Sequence, residues 1–308
     1  MLEVTMLGTG GTMPLKNRWL TSCLIRHEGR GVLIDCGEGT QIALRCAGKS
    51  VQRLDLICFT HFHADHISGL PGLLLSMGQD GRTEPLTLAG PKGLVQTVSG
   101  LRMIAPELPF RLDFIEITEK EEHLTFAGLE ITAFAVQHTL PCYGYRLHLP
   151  RLGKFEPERA KAAGIPLNVW GLLQKQEQVE CNGAVYHQQQ VLGPPRRGLT
   201  VTYCTDTRPA PAILKAADSA DLLILEGMYG DDEKRGKALE TKHMLFSEAA
   251  EIAETAQAKR LWLTHYSPSM PDPENYLSNA RAVFPETYCA KDGDSLELRF
   301  QNEQENAE

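Results

Sequence analysis

Short apolar runs alternate with segments of helical periodicity along most of the chain. The first runs, at 4–7, 22–26 and 31–34, predict a meander of strands. Further strands are predicted at 54–60, 86–89, 110–117, 129–136, 143–149, 199–204, 222–225, 260–264 and 295–300. Helices are predicted at 40–47, 70–77, 93–103, 209–217, 247–257 and 273–283. Because sheets covered by helices give this alternation, the pattern predicts an α/β (α+β) sandwich.

The segment 150–195, which we call the arm, interrupts this alternation. It is polar and punctuated by glycine and proline, with glutamine-rich stretches at 174–178 and 188–190. Long insertions of this kind usually lie outside the core and often contact a substrate or partner. We therefore expect a single domain, 1–308, into which a flexible arm without regular strands is inserted.

Positive charge is concentrated in and beside the arm. The basic residues there are Arg151, Lys154, Arg159, Lys161, Lys175, Arg196 and Arg197. This local excess is compatible with a substrate-binding surface. A solvent-exposed insertion with no binding role explains the same composition equally well.

The composition is that of a globular protein with an acidic balance. The 308 residues are 42% hydrophobic and 23% charged, and the net charge is −8. This charge argues against indiscriminate nucleic-acid binding, but a nucleic-acid enzyme can obtain a positive field from metal ions and a local basic patch. The N-terminus starts directly as a strand, and no apolar run reaches the length of a membrane span, so we expect neither a signal peptide nor a membrane partner.

Cysteine usage indicates a reducing compartment. The eight cysteines are scattered, several lie in apolar runs, and no C-x-x-C pair occurs. The absence of such a pair argues against a thiolate zinc site. Buried free thiols in a cytoplasmic protein are the simplest interpretation.

The densest group of residues that could bind a metal ion follows the predicted strand 54–60. The stretch His61-Phe62-His63-Ala64-Asp65-His66 carries three imidazoles and a carboxylate within six residues. Neutral imidazole and carboxylate suit zinc, and this order supplies enough ligands for two adjacent ions. A surface histidine cluster without a function is the alternative. Four ligand-type residues at one strand end favour the metal site.

Three further ligand-type residues follow predicted strands. His138, Asp206 and His265 come directly after the runs at 129–136, 199–204 and 260–264 or one residue further on. Each alone would more often be a hydrogen-bonded loop residue than a ligand. Functional sites in mixed α/β sheets gather where strand ends open into loops, so together with the cluster these residues predict one shared centre.

Several motifs in this order resemble the metallo-β-lactamase superfamily. They are Leu7-Gly-Thr-Gly-Gly-Thr12, Ile34-Asp-Cys-Gly-Glu-Gly-Thr40, Thr60-His-Phe-His-Ala-Asp-His66, Ser68-Gly-Leu-Pro-Gly72, Gly90-Pro-Lys-Gly93, Val201-Thr-Tyr-Cys-Thr-Asp-Thr207 and Leu263-Thr-His265. The resemblance implies a four-layer αββα sandwich with a dinuclear site at the sheet edge. Within the superfamily the chain is similar to the ribonuclease Z family, endonucleases that trim the 3′ ends of tRNA precursors.

The resemblance implies a complete ligand set for two Zn²⁺ per subunit, with Mn²⁺ as an alternative. One ion would be held by His61, His63 and His138, the other by Asp65, His66 and His265, and Asp206 would bridge them. A hydroxide shared by the ions would attack phosphorus in line. Asp65 would also accept the proton of the attacking water. Asp35 would accept a hydrogen bond from an imidazole N–H and so fix the tautomer of that ligand.

The resemblance also implies roles outside the ligand set. His243 would protonate the departing 3′-oxygen, and Glu226 would orient it. Lys16, Arg18, Arg196 and Arg197 would contact phosphates. The implied protein is a homodimeric, zinc-dependent endoribonuclease that removes the 3′ trailer from precursor tRNA.

Two other functional classes stay open from the sequence. A hydrolase of this fold could act on another small phosphodiester or on a lactone or ester. A non-catalytic, metal-stabilised RNA-binding protein is the third interpretation, and seven intact ligands argue against it. The oxygen-reducing diiron branch of the superfamily is disfavoured, because it carries glutamate where His63 stands here.

Overall fold

A computed structural model describes residues 1–301 of the chain. Its strands are β1 (Leu2–Gly8), β2 (Ser22–His27), β3 (Arg30–Ile34), β4 (Leu54–Cys58), β5 (Leu86–Pro91), β6 (Leu112–Ile117), β7 (Glu121–Phe126), β8 (Leu129–Val136), β9 (Cys142–Arg151), β10 (Gln178–Cys181), β11 (Ala184–His187), β12 (Arg196–Cys204), β13 (Leu222–Glu226), β14 (Leu261–Thr264), β15 (Thr287–Cys289) and β16 (Ser295–Leu298). Its α-helices are α1 (Thr40–Cys46), α2 (Ala64–Ile67), α3 (Leu70–Gln79), α4 (Leu94–Leu101), α5 (Pro157–Ala162), α6 (Leu167–Leu173), α7 (Pro211–Ala217), α8 (Arg235–Thr241), α9 (Phe246–Thr255) and α10 (Leu277–Arg281). Short 3-10 turns occur at Arg102–Ile104, Gln188–Gln190, Asp232–Lys234 and Pro273–Tyr276. In the part of the chain described, no helix is both long and apolar enough to cross a bilayer.

Two seven-stranded mixed sheets form the larger of two compact units. The strand order is β16-β1-β2-β3-β4-β5-β6 in one sheet and β15-β14-β13-β12-β9-β8-β7 in the other. Within the first sheet β3 to β6 run parallel, and within the second β12 to β15 run parallel. The carboxyl ends of the strands in each parallel set therefore lie at one edge of their sheet.

Alternation along the strands explains the layering. In β13, Leu223 and Leu225 belong to an apolar cluster shared with α7, α9 and α10, whereas Leu222 and Ile224 are buried on the opposite face. A strand that is buried on both faces lies between two layers. The Tyr145 hydroxyl of β9 donates to the Phe59 carbonyl just after β4, which joins the inner faces of the two sheets. Helices α1, α3 and α4 cover the outer face of the first sheet. The predicted αββα sandwich is confirmed.

Helix α9 shows how the outer layer is held. Phe246, Ala249, Ala250 and Ala253 are fully buried at helical spacing and pack in the cluster that covers β13 and β14. The helix begins at Phe246, because the Leu245 amide donates to the side chain of Glu248 and this pair caps it. The predicted start at 247 was therefore one residue late.

The smaller unit, Leu149–Gly198, contains the arm and has regular structure of its own. Helices α5 and α6 and the antiparallel hairpin β10–β11 surround an apolar cluster that includes Ile165, Val169 and Leu173. The indole of Trp170 packs on Phe155 and donates to a backbone carbonyl within the unit. The prediction of an arm without regular strands was wrong: the two four-residue strands are too short for their alternation to stand out, but Asn182-Gly183 between them is a dipeptide typical of hairpin turns.

We predict that two glycine-to-alanine changes in the larger unit will have opposite effects. A Cβ at Gly144 in β9 would lie 2.3 Å from the buried ring of Phe134, whereas a Cβ at Gly100 in α4 meets no atom within 4 Å. Gly144→Ala should lower the free energy of unfolding by about 1–3 kcal/mol through overpacking. Gly100→Ala should raise it by about 0.4–1 kcal/mol through the unfolded state. Urea denaturation measures both, and equal effects would contradict the strand packing described.

Candidate metal centre

The ligand-type side chains meet where the parallel strands end. The His61–His66 stretch follows β4, and Asp35 directly follows β3 in the same sheet. Asp206 and His265 follow β12 and β14, which belong to the other sheet. Both sheets thus contribute to one site, in which the ligand-type side chains are buried apart from the partly exposed His63.

A first group of donors surrounds His63. Its Nδ1 atom lies 2.9 Å from Nε2 of His61 and 3.2 Å from Nε2 of His138. The Oδ2 atom of Asp206 lies 3.7 Å from both of those Nε2 atoms. These four residues form one cluster that could hold a metal ion.

A second group adjoins the first. Nε2 of His66 lies 3.2 Å from Nε2 of His265, and Oδ2 of Asp65 lies 3.3 Å from the latter atom. The other carboxylate oxygen of Asp206, Oδ1, lies 3.3 Å from His66 and 3.2 Å from His265. Asp206 therefore presents one oxygen to each group.

The spacing and chemistry of these donors fit divalent metal ions. Two ligands bound tetrahedrally to one zinc ion are about 3.3 Å apart, which matches most of the separations. Oδ1 of Asp206 is buried and has no hydrogen-bond partner among the residues described. A buried carboxylate oxygen without a hydrogen bond is costly unless a cation compensates it. The residues present thus fit metal ions in both groups.

The protonation of three of the imidazoles suits metal binding. Burial lowers the pKa of His61, His63 and His138, so these rings are neutral near pH 7. His66 differs, because Asp206 and Asp35 raise its pKa well above the ordinary value although burial alone would lower it, so this ring must lose a proton to bind a metal ion. Burial alone would raise the pKa of Asp206, but the neighbouring His265 and His66 lower it well below its ordinary value. Neutral imidazole and ionised carboxylate are the forms that bind metal ions.

Asp35 fixes the tautomer of a candidate ligand. Its carboxylate, fully buried, accepts a hydrogen bond from Nδ1 of His66 at 2.8 Å and from the Thr60 amide at 2.8 Å. When the ring is neutral and its proton lies on Nδ1, the lone pair of Nε2 points into the second group. The sequence predicts this contact between Asp35 and the imidazole of a ligand.

Three of these residues have left-handed backbone conformations. The φ angles of Asp35, Asp206 and His265 are +59°, +54° and +55°. Such conformations are uncommon for residues with a Cβ and gather at functional sites. Each occurs one or two residues after a strand ends, where it turns the chain sharply and leaves the side chain in the site.

The opening loop adds a contact that sequence reasoning missed. The Thr12 amide donates to Oδ2 of Asp65 at 2.6 Å. A Cβ at Gly11 would lie 2.7 Å from the His265 ring, so glycine is required where the loop approaches that ring. The glycine-rich motif at 8–11 was the signal in the sequence, but it does not reveal which amide points at the site.

His243 and Glu226 form a buried pair beside the two groups. Nδ1 of His243 lies 2.8 Å from Oε2 of Glu226, whose other oxygen accepts from the Thr207 amide. Burial alone would lower the pKa of His243, but the Glu226 carboxylate raises it to about 9. The His243 ring stacks on that of His265, with centroids 5.5 Å apart. A cationic, proton-bearing imidazole therefore faces the centre.

The centre opens into a cavity of about 420 Å³, which Thr12, His63, Asp65, His138 and His243 help to line.

Among the predicted phosphate contacts, Lys16 is exposed. Arg18 is held by the carbonyls of Met270 and Pro271 and lies over the Tyr266 ring. Arg196 and Arg197 belong to the smaller unit, where Nε of Arg196 donates to the Leu152 carbonyl.

Comparison with known proteins identifies the family. Residues 2–151 match the family described as anti-Pycsar protein Apyc1, and residues 190–266 match the beta-lactamase superfamily domain. The structure is similar to human tRNase Z, short form, with a TM-score of 0.69 and 24% identity over 97% of this chain and 100% of that one. It is also similar to the metallo-beta-lactamase fold protein YhfI of Bacillus subtilis, with a TM-score of 0.70 and 22% identity over 96% of this chain and 100% of that one. These two likenesses show the fold.

Curated relatives are more similar in sequence. Ribonuclease Z of Lachnospira eligens is 54% identical over 98% of this chain and 100% of its own length. Ribonuclease Z of Clostridium acetobutylicum is 43% identical over 98% of this chain and 100% of its own length. With this identity over nearly full length, the chain belongs to the ribonuclease Z family.

Proposed function

We propose that this protein is a metal-dependent endoribonuclease that removes the 3′ trailer from precursor tRNA. One observation supports metal-dependent hydrolysis: the two oxygens of Asp206 face two separate groups of imidazole and carboxylate donors. Two adjacent metal positions suit hydrolysis of a phosphodiester by in-line displacement. Membership of the ribonuclease Z family supports RNA as the substrate.

The ligand assignment follows the two groups. His61, His63 and His138 would hold one ion and Asp65, His66 and His265 the other. Asp206 would hold both, because its second oxygen lies near His66 and His265. Nitrogen and oxygen donors suit Zn²⁺, and Mn²⁺ is the alternative. When bound, the ions supply Lewis-acid activation of water and neutralise charge that develops on the phosphoryl group.

Asp65 is proposed to accept the proton of the attacking water. The Thr12 amide and His265 both contact its Oδ2 atom and fix the carboxylate toward the cavity. Although burial alone would raise the pKa of Asp65, the hydrogen bond from His265 and the charge of His66 lower it. The group is thus ionised at neutral pH and can accept a hydrogen bond from the attacking water, although the lowered pKa makes it a weaker base than an ordinary aspartate.

His243 is proposed to protonate the leaving 3′-oxygen. Glu226 holds Nδ1, so the remaining ring nitrogen, Nε2, is the proton donor. The ring borders the cavity beside both groups, which is where a leaving group would emerge. General acid catalysis of this kind contributes on the order of a hundredfold or more.

Further properties of the proposal rest on the family resemblance. Lys16, Arg18, Arg196 and Arg197 are proposed phosphate contacts, and the arm is proposed to bind the tRNA body. A homodimer with two Zn²⁺ per subunit is proposed. A cytoplasmic location is supported by the eight cysteines, which all lie in the described residues and are free thiols.

Zinc-loaded protein is expected to cleave a precursor tRNA next to the discriminator nucleotide. Mapping the 3′ end of the product checks this. Asp65→Ala and His63→Ala should abolish cleavage, whereas Asp113→Ala, which removes an exposed carboxylate on β6, should not. An intact precursor after incubation with protein that holds two zinc ions would refute the assignment, and hydrolysis of a lactone instead would favour the acyl-hydrolase alternative.

Asp35→Asn is expected to weaken metal binding by about tenfold to a hundredfold, because the amide holds the His66 imidazole less firmly. Competition with a chromophoric chelator measures the affinity. Asp55→Asn is the matched control, since Asp55 is also a buried carboxylate but pairs with Arg82 and Arg30. Equal losses in both variants would mean that the effect reflects general destabilisation.

His243→Ala is expected to slow precursor cleavage by about a hundredfold or more. It should affect the hydrolysis of bis(p-nitrophenyl) phosphate much less, because p-nitrophenolate departs without a proton. Rates on the two substrates and the metal content of the variant are measured. His123→Ala, which removes an exposed imidazole on β7, is the control. Loss of metal, or an equal loss of rate on both substrates, would contradict the assignment.

A further inference from the structure

The imidazole of His243 is held by Glu226, but its backbone needs separate support. It lies in the short connection between α8 and α9, directly after Lys242, which has a left-handed φ of +58°. The His243 amide donates to the Ala238 carbonyl at 2.9 Å. Its carbonyl accepts a hydrogen bond from Nη1 of Arg208 at 2.5 Å.

The guanidinium of Arg208 is itself fixed in a bidentate ion pair. Nη1 lies 2.8 Å from Oε2 of Glu248, and Nη2 lies 2.5 Å from Oε1. Oε2 also accepts from the Leu245 amide. The Arg208–Glu248 pair therefore contacts the connection at His243 and again at Leu245, on both sides of Met244.

Arg208 also links this connection to the metal centre. It follows Asp206 by two residues, and its own amide donates to the carbonyl of Gln137, the residue before His138. The intervening Thr207 donates its amide to Glu226, the partner of His243. The short segment that carries Asp206 thus contacts the partner of the proposed acid, the backbone of that acid and the loop that carries His138.

We propose that Arg208 is a positioning residue for the leaving-group proton transfer. With Glu248 it fixes the main chain of His243, and Glu226 then fixes the ring, so that the donor nitrogen faces the cavity. The side chains of Arg208 and Glu248 are 15% and 5% exposed, so solvent screens the pair little. The planar fork of arginine makes both carboxylate contacts and the carbonyl contact together, which lysine cannot do. This inference rests on the proposed role of His243.

Arg235 provides a matched control within the same cluster. Its Nη1 atom lies 2.9 Å from Oε1 of Glu248, the carboxylate that Arg208 also contacts. The Arg235 side chain is 53% exposed, and among the residues described its guanidinium contacts Glu248 and not the His243 carbonyl. Removing either arginine leaves the charge of Glu248 less well neutralised. Among the residues described, Arg208 is the arginine that also contacts the backbone of His243.

The test compares Arg208→Met, Arg208→Lys and Arg235→Met, each in the wild-type and in the His243→Ala background. Single-turnover rates are measured on precursor tRNA and on bis(p-nitrophenyl) phosphate, with metal content and thermal midpoint for every variant. Arg208→Met should lower the rate on precursor tRNA by about tenfold to a hundredfold, as expected for a misplaced catalytic group, with metal content unchanged. Arg208→Lys should recover part of this loss, and Arg235→Met should show little.

Non-additivity is the decisive readout. In the His243→Ala background, Arg208→Met should cause no further loss on precursor tRNA, because the residue acts through His243. An equal loss in both backgrounds, a loss of metal, or a full rate in Arg208→Met would overturn the inference. If Arg208→Met does not fold, Arg208→Lys carries the same comparison. A full rate in His243→Ala itself would refute the proposed acid, whereas a slow His243→Ala with a fast Arg208→Met would refute only the role of Arg208.

Discussion

The carboxylate of Asp206 is the contact on which the site depends. It is buried, its two oxygens face different groups of donors, and it comes from the second sheet, whereas the His61–His66 stretch comes from the first. Bringing a charged group into this position is unfavourable unless cations compensate it. The sandwich thus brings the two sheet edges together around a charge that bound metal ions would compensate.

The ligand-type residues could be predicted because each follows a recognisable strand. An apolar run that stops at histidine or aspartate places that side chain at a sheet edge, as for His138, Asp206 and His265. The fold and the family membership expected from these motifs are confirmed. Asp35 was expected beside a ligand, and the structure pairs it with His66.

Other features of the site and the arm could not be predicted from the sequence, and each has a physical reason. A lone histidine in a loop has no periodic signal, so His243 came only from the resemblance. The contact of Thr12 with Asp65 uses a backbone amide, which residue identity does not reveal. The Arg208–Glu248 pair joins residues that are far apart in sequence, and many arginines and glutamates could pair equally well. The elements of the arm are too short for their periodicity to stand out.

The left-handed residues after the strands have a consequence for the order in which activity can arise. Asp35, Asp206 and His265 lie near the beginning, in the second half and near the end of the chain, and each turns its strand end toward the same centre. A nascent chain that has not yet reached β14 lacks His265 and cannot complete the second group of donors. If His265 is the last ligand, as proposed, a chain that ends before β14 is unable to cleave RNA, and competence to cut arises only when the last strands have been synthesised.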